Sequence, residues 1–310
     1  MKLVTYLGPP AAEPRVGVVL DDRVLDVTDF VAGVAPEPAL QRALAERGVV
    51  APPAGMLRLL QGGPPAMAAL ARHVQDRLAA QPGAPLAALA GVRLAAPVPR
   101  PGKIVAVGRN YADHAKETGV DPFEQPRIIA KLPSSVSAPG AVVRRPAPVA
   151  KLDFEAELAV VIGTAARNVA RAAALDHVAG YTALNDLSAR EFQLDISPPQ
   201  TTFAKSMDGF CPMGPWLVTR DEIADPHALE VSCRVNGQPM QHASTADMLF
   251  RIDRLIEYVT RFMTLEPGDV IATGTPAGIG AFRRPPVWLQ PGDTVRIEIT
   301  GIGVLEHGIG

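Results

Sequence analysis

A row of alternating carboxylates that leads directly into an apolar segment is the feature that most constrains this 310-residue chain. Asp153, Glu155 and Glu157 occupy every second position, and residues 158–162 that follow are continuously apolar. The pattern predicts a buried strand with the three carboxylates on one face, because strand side chains alternate between faces. At a spacing of roughly 7 Å, two such carboxylates repel by roughly 2 kcal/mol. Solvent, a protonated member, basic partners or a bound cation must relieve that repulsion.

A second apolar strand, predicted over residues 178–184, also leads into a carboxylate, that of Asp186. Two neighbouring buried strands of this kind would build one cation site, with Asp186 as the third ligand beside Glu155 and Glu157. Carboxylate oxygens suit a hard ion such as Mg²⁺ or Mn²⁺. The residues alone leave two alternatives. The carboxylate row can be a solvated strand end, and Asp186 can cap a helix that begins near Ser188.

Further polar residues follow at spacings that suggest shared helix faces. His114 and Glu117 are three residues apart on a short predicted helix, where the carboxylate can orient the imidazole as a base; the alternative is a surface contact. Arg190 and Gln193 have the same spacing, and could bind a carboxylate-bearing substrate. Lys205 lies in an otherwise apolar loop, where it is either part of a structural ion pair or an electrophilic helper beside the metal.

Composition argues against several classes of function. The net charge of −2 provides no basic field for nucleic acid or an anionic membrane, and aromatic residues, at 5%, are too few for a base-stacking surface. Two cysteines are too few for a disulfide framework, and no Cys/His cluster indicates zinc. No apolar run reaches the roughly 18 residues of a membrane helix. The first apolar run stops at Gly8, before a signal-peptide core could form, and the expected compartment is the cytoplasm.

The high content of Pro (31) and Gly (27) predicts a loop-rich, β-heavy fold. An Ala/Pro-rich segment over residues 81–101 is interpreted as a linker or edge segment. A boundary near residue 95 divides the chain into a small structural domain, 1–95, and a domain that carries the chemistry, 96–310. Cys211 is expected to be buried and inert. Histidines without partners in the sequence are interpreted as structural or surface residues: His177, His227, His242 and His307.

Regular elements outside the carboxylate strands are predicted from periodicity and turn residues. The predicted strands are 3–7, 15–20, 23–27, 103–108, 127–131, 293–299 and 303–308, together with one that begins at 270 and a hairpin over 229–240 with an Asn-Gly turn. The predicted helices are 38–47, 56–60, 66–79, 111–117, 170–177 and 245–263.

Five motifs together resemble the fumarylacetoacetate hydrolase family in their order along the chain, over roughly residues 100 to 308. The pattern is most similar to the bacterial acylpyruvase-like and 2-hydroxyhepta-2,4-diene-1,7-dioate isomerase-like branch. Glu191 and Met207 depart from commoner residues, and neither is a matched functional position. The N-terminal part resembles the smaller, variable domain of many members. The motifs are Gly-Arg-Asn-Tyr with His and Glu (108–117), Asp-x-Glu-x-Glu (153–157), Asn-Asp-x-Ser-Ala-Arg (185–190), Ala-Lys-Ser (204–206) and Gly-Thr-Pro-x-Gly-x-Gly (274–280).

The resemblance implies a mainly β fold of the α+β class, with a rolled mixed β-sheet in the catalytic domain and a small N-terminal α/β domain. It also implies a homodimer and a Mg²⁺ or Mn²⁺ cofactor. Carried over by position, the metal ligands are Glu155, Glu157 and Asp186. The catalytic residues are His114, Glu117 and Lys205, and the residues expected near the substrate are Arg109, Tyr111, Arg190, Gln193 and Thr275.

The implied activity is hydrolysis of a C–C bond in an acylpyruvate or related diketo acid, by way of an enolate that the cation stabilises. The partner is therefore a small 2-oxo or diketo acid, with no nucleic acid and no membrane. The same site could instead decarboxylate or isomerise a 2-oxo dicarboxylate. A non-catalytic metal-dependent binding protein on the same scaffold is the alternative from another class. Specificity is expected in the segment after Glu117, in residues 133–148 and in residues 195–202.

Overall fold

The computed structural model describes residues 1–8, 13–48, 54–81, 86–119 and 121–310. The α-helices of this described part are α1 (Thr28–Ala32), α2 (Pro38–Glu46), α3 (Gly55–Gln61), α4 (Gly63–Ala80), α5 (Ala112–Glu117), α6 (Thr201–Ala204) and α7 (Ile252–Thr260). Short 3₁₀ turns cover Leu89–Gly91, Pro133–Ser135, Arg171–His177, Arg220–Glu222, Thr245–Asp247 and Gly280–Phe282, and a π turn covers Glu191–Asp195. No helix among the described residues is long and apolar enough to cross a membrane.

The strands of the described residues are β1 (Lys2–Leu7), β2 (Arg15–Leu20), β3 (Arg23–Asp26), β4 (Ala87–Ala88), β5 (Arg93–Leu94), β6 (Ile104–Gly108), β7 (Arg127–Lys131), β8 (Val136–Ser137), β9 (Val142–Val143), β10 (Leu152–Asp153), β11 (Ala156–Ile162), β12 (Val178–Asn185), β13 (Ser188–Ala189), β14 (Cys211–Thr219), β15 (Glu230–Val235), β16 (Gln238–Ser244), β17 (Val270–Ala272), β18 (Thr294–Ile299) and β19 (Gly303–Ile309).

A large mixed sheet contains twelve of these described strands. Its order is β4-β3-β2-β1-β14-β12-β11-β17-β6-β7, with β5 beside β1 and β8 beside β14. Most neighbours are antiparallel, whereas β6 runs parallel to β17 and β8 runs parallel to β14. A five-stranded sheet has the order β16-β15-β18-β19-β9, and β10 pairs with β13. The predicted mainly β, α+β fold with a mixed sheet is confirmed.

The apolar run after the carboxylate row forms a central strand because both of its faces are covered. Leu158, Val160 and Ile162 pack into a core that also contains residues of the five-stranded sheet and α7. Ala159 and Val161 pack into a second core with residues of α3 and α4. A strand that is buried on both faces is continuously apolar instead of alternating. This strand therefore holds the preceding carboxylates inside the protein and away from bulk solvent.

Residues 1–95 contribute to the same sheet and the same core as the rest of the chain. β1 pairs with β14, with Leu3 opposite Leu217, and Leu3 shares the second core with Ile104 and Val270. Burial of these apolar side chains favours close association of the two parts. The division into domains near residue 95 stays a prediction, and it describes two parts that meet in one continuous sheet.

Most predicted elements outside the carboxylate strands are confirmed within a few residues. The hairpin of β15 and β16 turns at Asn236 and Gly237, whose φ angles of 50° and 78° are those that a type I′ turn requires. The segment predicted as a helix over 170–177 is a 3₁₀ helix. Within the segment 81–101, β4 pairs with β3 at the edge of the large sheet, in agreement with the edge interpretation. The linker interpretation is wrong for the strand residues 87–88 and 93–94, because β5 also pairs with β1. Residues 82–85 of that segment lie outside the described part.

Two predicted helices are shorter than expected, and in both cases contacts with distant segments override the local pattern. The helix predicted over 245–263 is interrupted, because Asn110 Oδ1 accepts the amide of Phe250 at 2.8 Å and Tyr111 bridges Met248 as in a strand. Only α7 and a short turn before it are helical there. The helical segment predicted from near Ser188 begins later, with the π turn Glu191–Asp195, because Ser188 belongs to β13 and pairs with β10.

Candidate active site

The carboxylates lie where the pairing of two long strands is interrupted. β10 pairs with β13 in the same antiparallel register in which β11 pairs with β12, so the short strands continue the long ones across a gap. In the gap Glu155 lies opposite Asp186, whose amide donates to the Glu155 carbonyl oxygen at 2.9 Å. The prediction of an unbroken strand from Asp153 is wrong, because the side chain of Asn185 accepts the amide of Glu155. Like charges directly opposite each other destabilise a sheet, so this arrangement needs a positive charge.

Three carboxylates converge at the gap. Glu155, Glu157 and Asp186 each provide one oxygen, these oxygens lie within 4.8 Å of one another, and all three side chains are buried. The amide of Gly274 donates to Glu157 Oε2 at 2.8 Å. Gly274 has a φ of 102°, and a Cβ atom there would lie 2.7 Å from that of Asn110. Only glycine can therefore supply this contact without strain.

Buried cationic side chains surround the carboxylates. Lys205 Nζ donates to Glu155 Oε2 at 2.8 Å, to Asp186 Oδ2 at 2.7 Å and to Ser188 Oγ at 2.8 Å. An ammonium group has three N–H donors, so all three are used. A direct hydrogen bond from Lys205 to a substrate would require the loss of one of these bonds. The positive charge nevertheless remains beside the site.

Arg190 connects the carboxylates to the π turn. Its Nη2 donates to Glu155 Oε1 at 2.6 Å, its Nε to Asp153 Oδ2 at 2.8 Å, and its Nη1 to Gln193 Oε1 at 2.5 Å. Asp153 also accepts the amide of Gly280 at 2.7 Å. Asp153 thus holds Arg190 and the glycine loop in place, and it is not one of the three converging carboxylates.

Sequence reasoning missed Lys131. Its side chain is fully buried, Nζ lies 2.8 Å from Asp186 Oδ1, and Nζ donates to the carbonyl oxygen of Lys205. The position of Lys131 at the end of a short apolar strand could have indicated its role. A lysine that is buried with such a strand needs an acidic partner in the interior.

The charges make Glu155 and Glu157 unequal. Burial by itself would raise the pKa of Glu155, but the charges of Lys205 and Arg190 outweigh it and lower the pKa to about 2. Burial raises the pKa of Glu157 well above its usual value, and the charges of Asp186 and Glu155 raise it further. Glu157 forms no ion pair with any described residue. One carboxylate of the cluster is therefore left without its own counter-charge.

The residues fit a hard divalent cation. The buried cluster contains four carboxylates and three cationic side chains. With every carboxylate ionised, as metal binding requires, one negative charge is in excess. A divalent cation would change that excess to one positive charge, and a substrate carboxylate would then neutralise it. Oxygen-only ligands are those that Mg²⁺ and Mn²⁺ prefer. The members of the cluster are Asp153, Glu155, Glu157 and Asp186, with Lys131, Arg190 and Lys205.

His114 and Glu117 form a hydrogen-bonded pair on α5. His114 Nδ1 lies 3.1 Å from Glu117 Oε2, and the amide of Gly278 donates to Glu117 Oε1 at 3.0 Å. His114 is buried, with only 5% of its surface exposed. The pairing at Nδ1 leaves Nε2 as the nitrogen that is available for proton transfer.

One cavity of about 280 Å³ is lined by His114 and by members of the buried cluster, although Glu157 and Glu117 are not among its lining residues. Residues that line it include Arg109, His114, Glu155, Asp186, Arg190, Gln193, Lys205 and Thr275. Their sequence separation of up to 166 positions means that only the folded sheet brings them together. A larger cavity of about 700 Å³ beside α4 is lined by none of the motif residues.

Two residues predicted near the substrate have other contacts. Tyr111 is packed in the core and does not line the cavity, and its hydroxyl has no hydrogen-bond partner in the described part of the chain. Thr275 does line the cavity, and its Oγ1 donates to the Ala156 carbonyl oxygen at 3.0 Å. Gln241, which the sequence did not indicate, donates to Thr275 at 2.7 Å and accepts the Ala156 amide at 3.0 Å. These contacts fix the start of β11 beside the site.

A buried histidine of the five-stranded sheet contacts Asn185, which borders the gap between the paired strands. His307 Nε2 lies 2.9 Å from Asn185 Nδ2, and Asn185 Oδ1 accepts the amide of Glu155. Burial lowers the pKa of His307 to about 4. The ring is therefore neutral near pH 7, with Nε2 as an acceptor. The predictions that His307 is structural and that Cys211 is buried agree with these positions.

We expect the protein to lose stability as the pH falls from about 6.5 towards 4. The pKa of His307 is lower in the folded protein, so the unfolded chain binds more protons across that range. Between pH 7 and pH 5, the free energy of unfolding should fall by about 2 kcal/mol through this group. Urea unfolding of the His307→Gln variant should show a correspondingly smaller change with pH. The exposed His242→Gln control should behave like the wild type; an unchanged pH dependence in both variants would contradict the assignment.

The fold and the site define a class of protein, that of mixed-sheet proteins with a buried acidic site. Comparison with known proteins places the chain in a family of such proteins. The sequence profile of the fumarylacetoacetate (FAA) hydrolase C-terminal domain matches residues 103–309. The chain belongs to the fumarylacetoacetate hydrolase family, as its motifs predicted.

Relatives of this chain are named for different activities. The mitochondrial oxaloacetate tautomerase FAHD2A of Homo sapiens is 44% identical over 307 residues, which cover 98% of this chain and 90% of that protein. The maleylpyruvate hydrolase of Sphingobium sp. SYK-6, in complex with manganese (II) ion and pyruvate, is 33% identical with a TM-score of 0.75, over 100% of this chain and 98% of that one. The 5-carboxymethyl-2-hydroxymuconate delta-isomerase of Mycobacterium smegmatis is 32% identical with a TM-score of 0.72, over 100% and 98%. Members of this family are enzymes, and these relatives differ in reaction.

Proposed function

We propose that this chain is a divalent-metal-dependent hydrolase that cleaves a C–C bond of an acylpyruvate or a related diketo acid, with Mg²⁺ or Mn²⁺ as its cofactor. The observation that carries the proposal is that His114, paired with Glu117, lines the same small cavity as the acidic site and Lys205. An acid–base group beside a cation site is what enolate chemistry on a 2-oxo acid requires. The manganese and pyruvate of the maleylpyruvate hydrolase complex support this assignment.

Each residue of the site has a separate role in the proposed reaction. A bound divalent cation supplies Lewis-acid stabilisation of negative charge on the substrate. His114 Nε2 takes a proton from water, while Glu117 accepts the Nδ1–H and holds the ring. The water oxygen bonds to the distal carbonyl carbon and the C–C bond breaks, so that its electron pair forms the pyruvate-side enolate. The enolate then takes up the proton that His114 holds, and the new carboxylic acid loses its proton to solvent. Lys205 and Arg190 offset part of the negative charge.

The second candidate is isomerisation, tautomerisation or decarboxylation of a 2-oxo dicarboxylate. The 44% identity to a protein named as an oxaloacetate tautomerase favours it. Tautomerisation needs no attack by water, only a group such as His114 that moves a proton between carbon and oxygen. We also propose that the protein is a homodimer, on the basis of the family resemblance. From the sequence, we propose the cytoplasm as its compartment, whereas the named tautomerase relative is mitochondrial.

One set of assays tests these reactions. Purified protein with Mg²⁺ or Mn²⁺ is mixed with acetylpyruvate, fumarylpyruvate and oxaloacetate, and loss of diketone or enol absorbance is followed together with CO₂ release. Two acid products without CO₂ support hydrolysis, CO₂ supports decarboxylation, and faster keto–enol exchange alone supports tautomerisation. No turnover of any of these or of a wider 2-oxo acid panel would contradict an enzymatic role and favour a metal-dependent binding protein.

A further inference from the structure

Two arginines in the cavity wall take no part in the proton transfer or metal binding described above. Arg109 is expected near the substrate from the family resemblance, but without a specific partner group, and Arg127 was not among the predicted site residues. Arg109 directly follows β6, Arg127 begins β7, and Gly108 pairs with Arg127 in the antiparallel register. Both arginines line the 280 Å³ cavity. Within the described residues, neither forms a hydrogen bond or an ion pair with a carboxylate. Guanidinium groups that face a cavity without a counter-ion are suited to bind an anion.

The local backbone presents the two side chains together. Arg109 adopts a φ of 56°, a left-handed conformation that is uncommon for residues other than glycine. A Cβ atom added at Gly108 would lie 3.4 Å from Arg127 Cδ, so the Arg127 side chain lies across that glycine. Arg109 also stacks over Phe123, with its guanidinium carbon 5.6 Å from the ring centroid. Burial and the charge of Arg127 lower the pKa of Arg109, as expected for two like charges held close together.

The sheet places these arginines at a distance from the acidic site. The order β11-β17-β6-β7 puts Arg109 two strands, and Arg127 three strands, away from the strand that carries Glu157. At roughly 4.8 Å per strand, the backbone separations are roughly 10 and 14 Å. Apolar side chains, among them Ile129 and Phe282, also line the cavity. The cavity wall therefore contains two separate charged groups, the acidic site and the two arginines, together with apolar side chains. Such a wall suits a short carbon chain with an anionic group at each end.

We propose that Arg109 and Arg127 form a subsite for the distal carboxylate of a dicarboxylic 2-oxo acid, and that this pair selects diacids over the matching monoacids. The inference rests on the proposed function, in which the 2-oxo acid end binds at the acidic site. Arginine binds carboxylates through two parallel hydrogen bonds and keeps its charge. Loss of the distal carboxylate would leave the two guanidinium groups unpaired and repelling each other.

The test uses two stable 2-oxo acids of equal chain length. Calorimetric titration in the presence of Mn²⁺ compares 2-oxoglutarate with 2-oxopentanoate, in which a methyl group replaces the distal carboxylate. We expect the wild type to bind 2-oxoglutarate about 10- to 100-fold more tightly, the ratio that charge-assisted hydrogen bonds provide. Arg127→Gln and Arg109→Gln should reduce that ratio to less than about 3-fold without weakening 2-oxopentanoate, and Arg127→Lys should retain part of it. Arg100→Gln, at an exposed arginine outside the cavity, is the matched control and should keep the wild-type ratio.

The outcomes separate this inference from the proposed function. Equal binding of the two acids by the wild type, or an unchanged ratio in both glutamine variants, would overturn the subsite even if diketo acids are hydrolysed. A ratio that falls in the glutamine variants supports the subsite even if the wild type hydrolyses no diketo acid, in which case only the proposed reaction fails. A ratio that falls equally in Arg100→Gln would overturn the subsite, because surface charge would then explain the preference.

Discussion

Glu155→Ala is expected to lose both bound metal and turnover. The variant removes one of three converging carboxylate ligands, so Mn²⁺ affinity should fall by more than about 100-fold, beyond the effect of changes outside the ligand set. It also leaves Arg190 and Lys205 short of a buried partner, which costs about 3 to 5 kcal/mol of folding free energy. Titration with Mn²⁺ and thermal unfolding, measured on the same preparation, distinguish loss of the ligand from loss of the fold.

Two companion variants make this experiment decisive. Glu155→Gln keeps the size and hydrogen-bonding capacity of the side chain while it removes the charge, so it should remain folded and still bind Mn²⁺ poorly. Asp153→Asn changes the neighbouring buried carboxylate, which contacts Arg190 and Gly280; it should retain Mn²⁺ at the wild-type stoichiometry while it loses stability. Full metal content in folded Glu155→Ala, or metal loss in Asp153→Asn alone, would show that the ligand assignment is incorrect.

His114→Ala should keep the metal and lose hydrolysis. General acid–base groups contribute about 10² to 10⁴ in rate, so kcat should fall by that factor while Mn²⁺ affinity stays unchanged. Glu117→Gln should have a smaller effect in the same direction, because the ring would still be present but less firmly oriented. Steady-state kinetics with the best diketo acid of the panel, together with Mn²⁺ titration, gives both quantities.

The control for the His114 prediction lies on the same short helix. Lys116 is 77% exposed and pairs with the exposed Asp113. Lys116→Ala therefore removes only a surface ion pair, which contributes little to stability, and should leave kcat at the wild-type value. A comparable loss in Lys116→Ala would mean that α5 itself was disturbed. Hydrolysis at the wild-type rate in His114→Ala would remove the histidine from the mechanism.

Local patterns predicted a large part of the fold and the three carboxylates that converge at the site. The continuous apolar run after Glu157 predicted a strand buried on both faces, and β11 is such a strand. Phe154, Ala156 and Leu158 share one core, as the alternation predicted. These features depend on the period of side chains along one strand, which is a property of neighbouring residues. The helix predicted over 245–263 is interrupted for the converse reason. Asn110, which is distant in the sequence, accepts the backbone amides of Leu249 and Phe250, so these amides do not form helical hydrogen bonds.

The choice among interpretations of each carboxylate depended on tertiary structure. Nothing near Asp186 in the sequence distinguished a helix cap from a ligand, and the pairing of β11 with β12 places it opposite Glu155. The same holds for Arg127, which alternation along β7 alone could not connect with Arg109. Both assignments require the register between strands, which no local pattern encodes.

The sequence by itself determined the family, the buried central strand and the residue types of an acidic site with a histidine beside it. Only the tertiary structure decided that the strand pairing opens at Glu155, that Lys131 joins the site, and that Arg109 and Arg127 share its cavity. The physical reason is that side-chain period is set by adjacent residues, whereas strand order and register are set by hydrogen bonds and burial between distant segments.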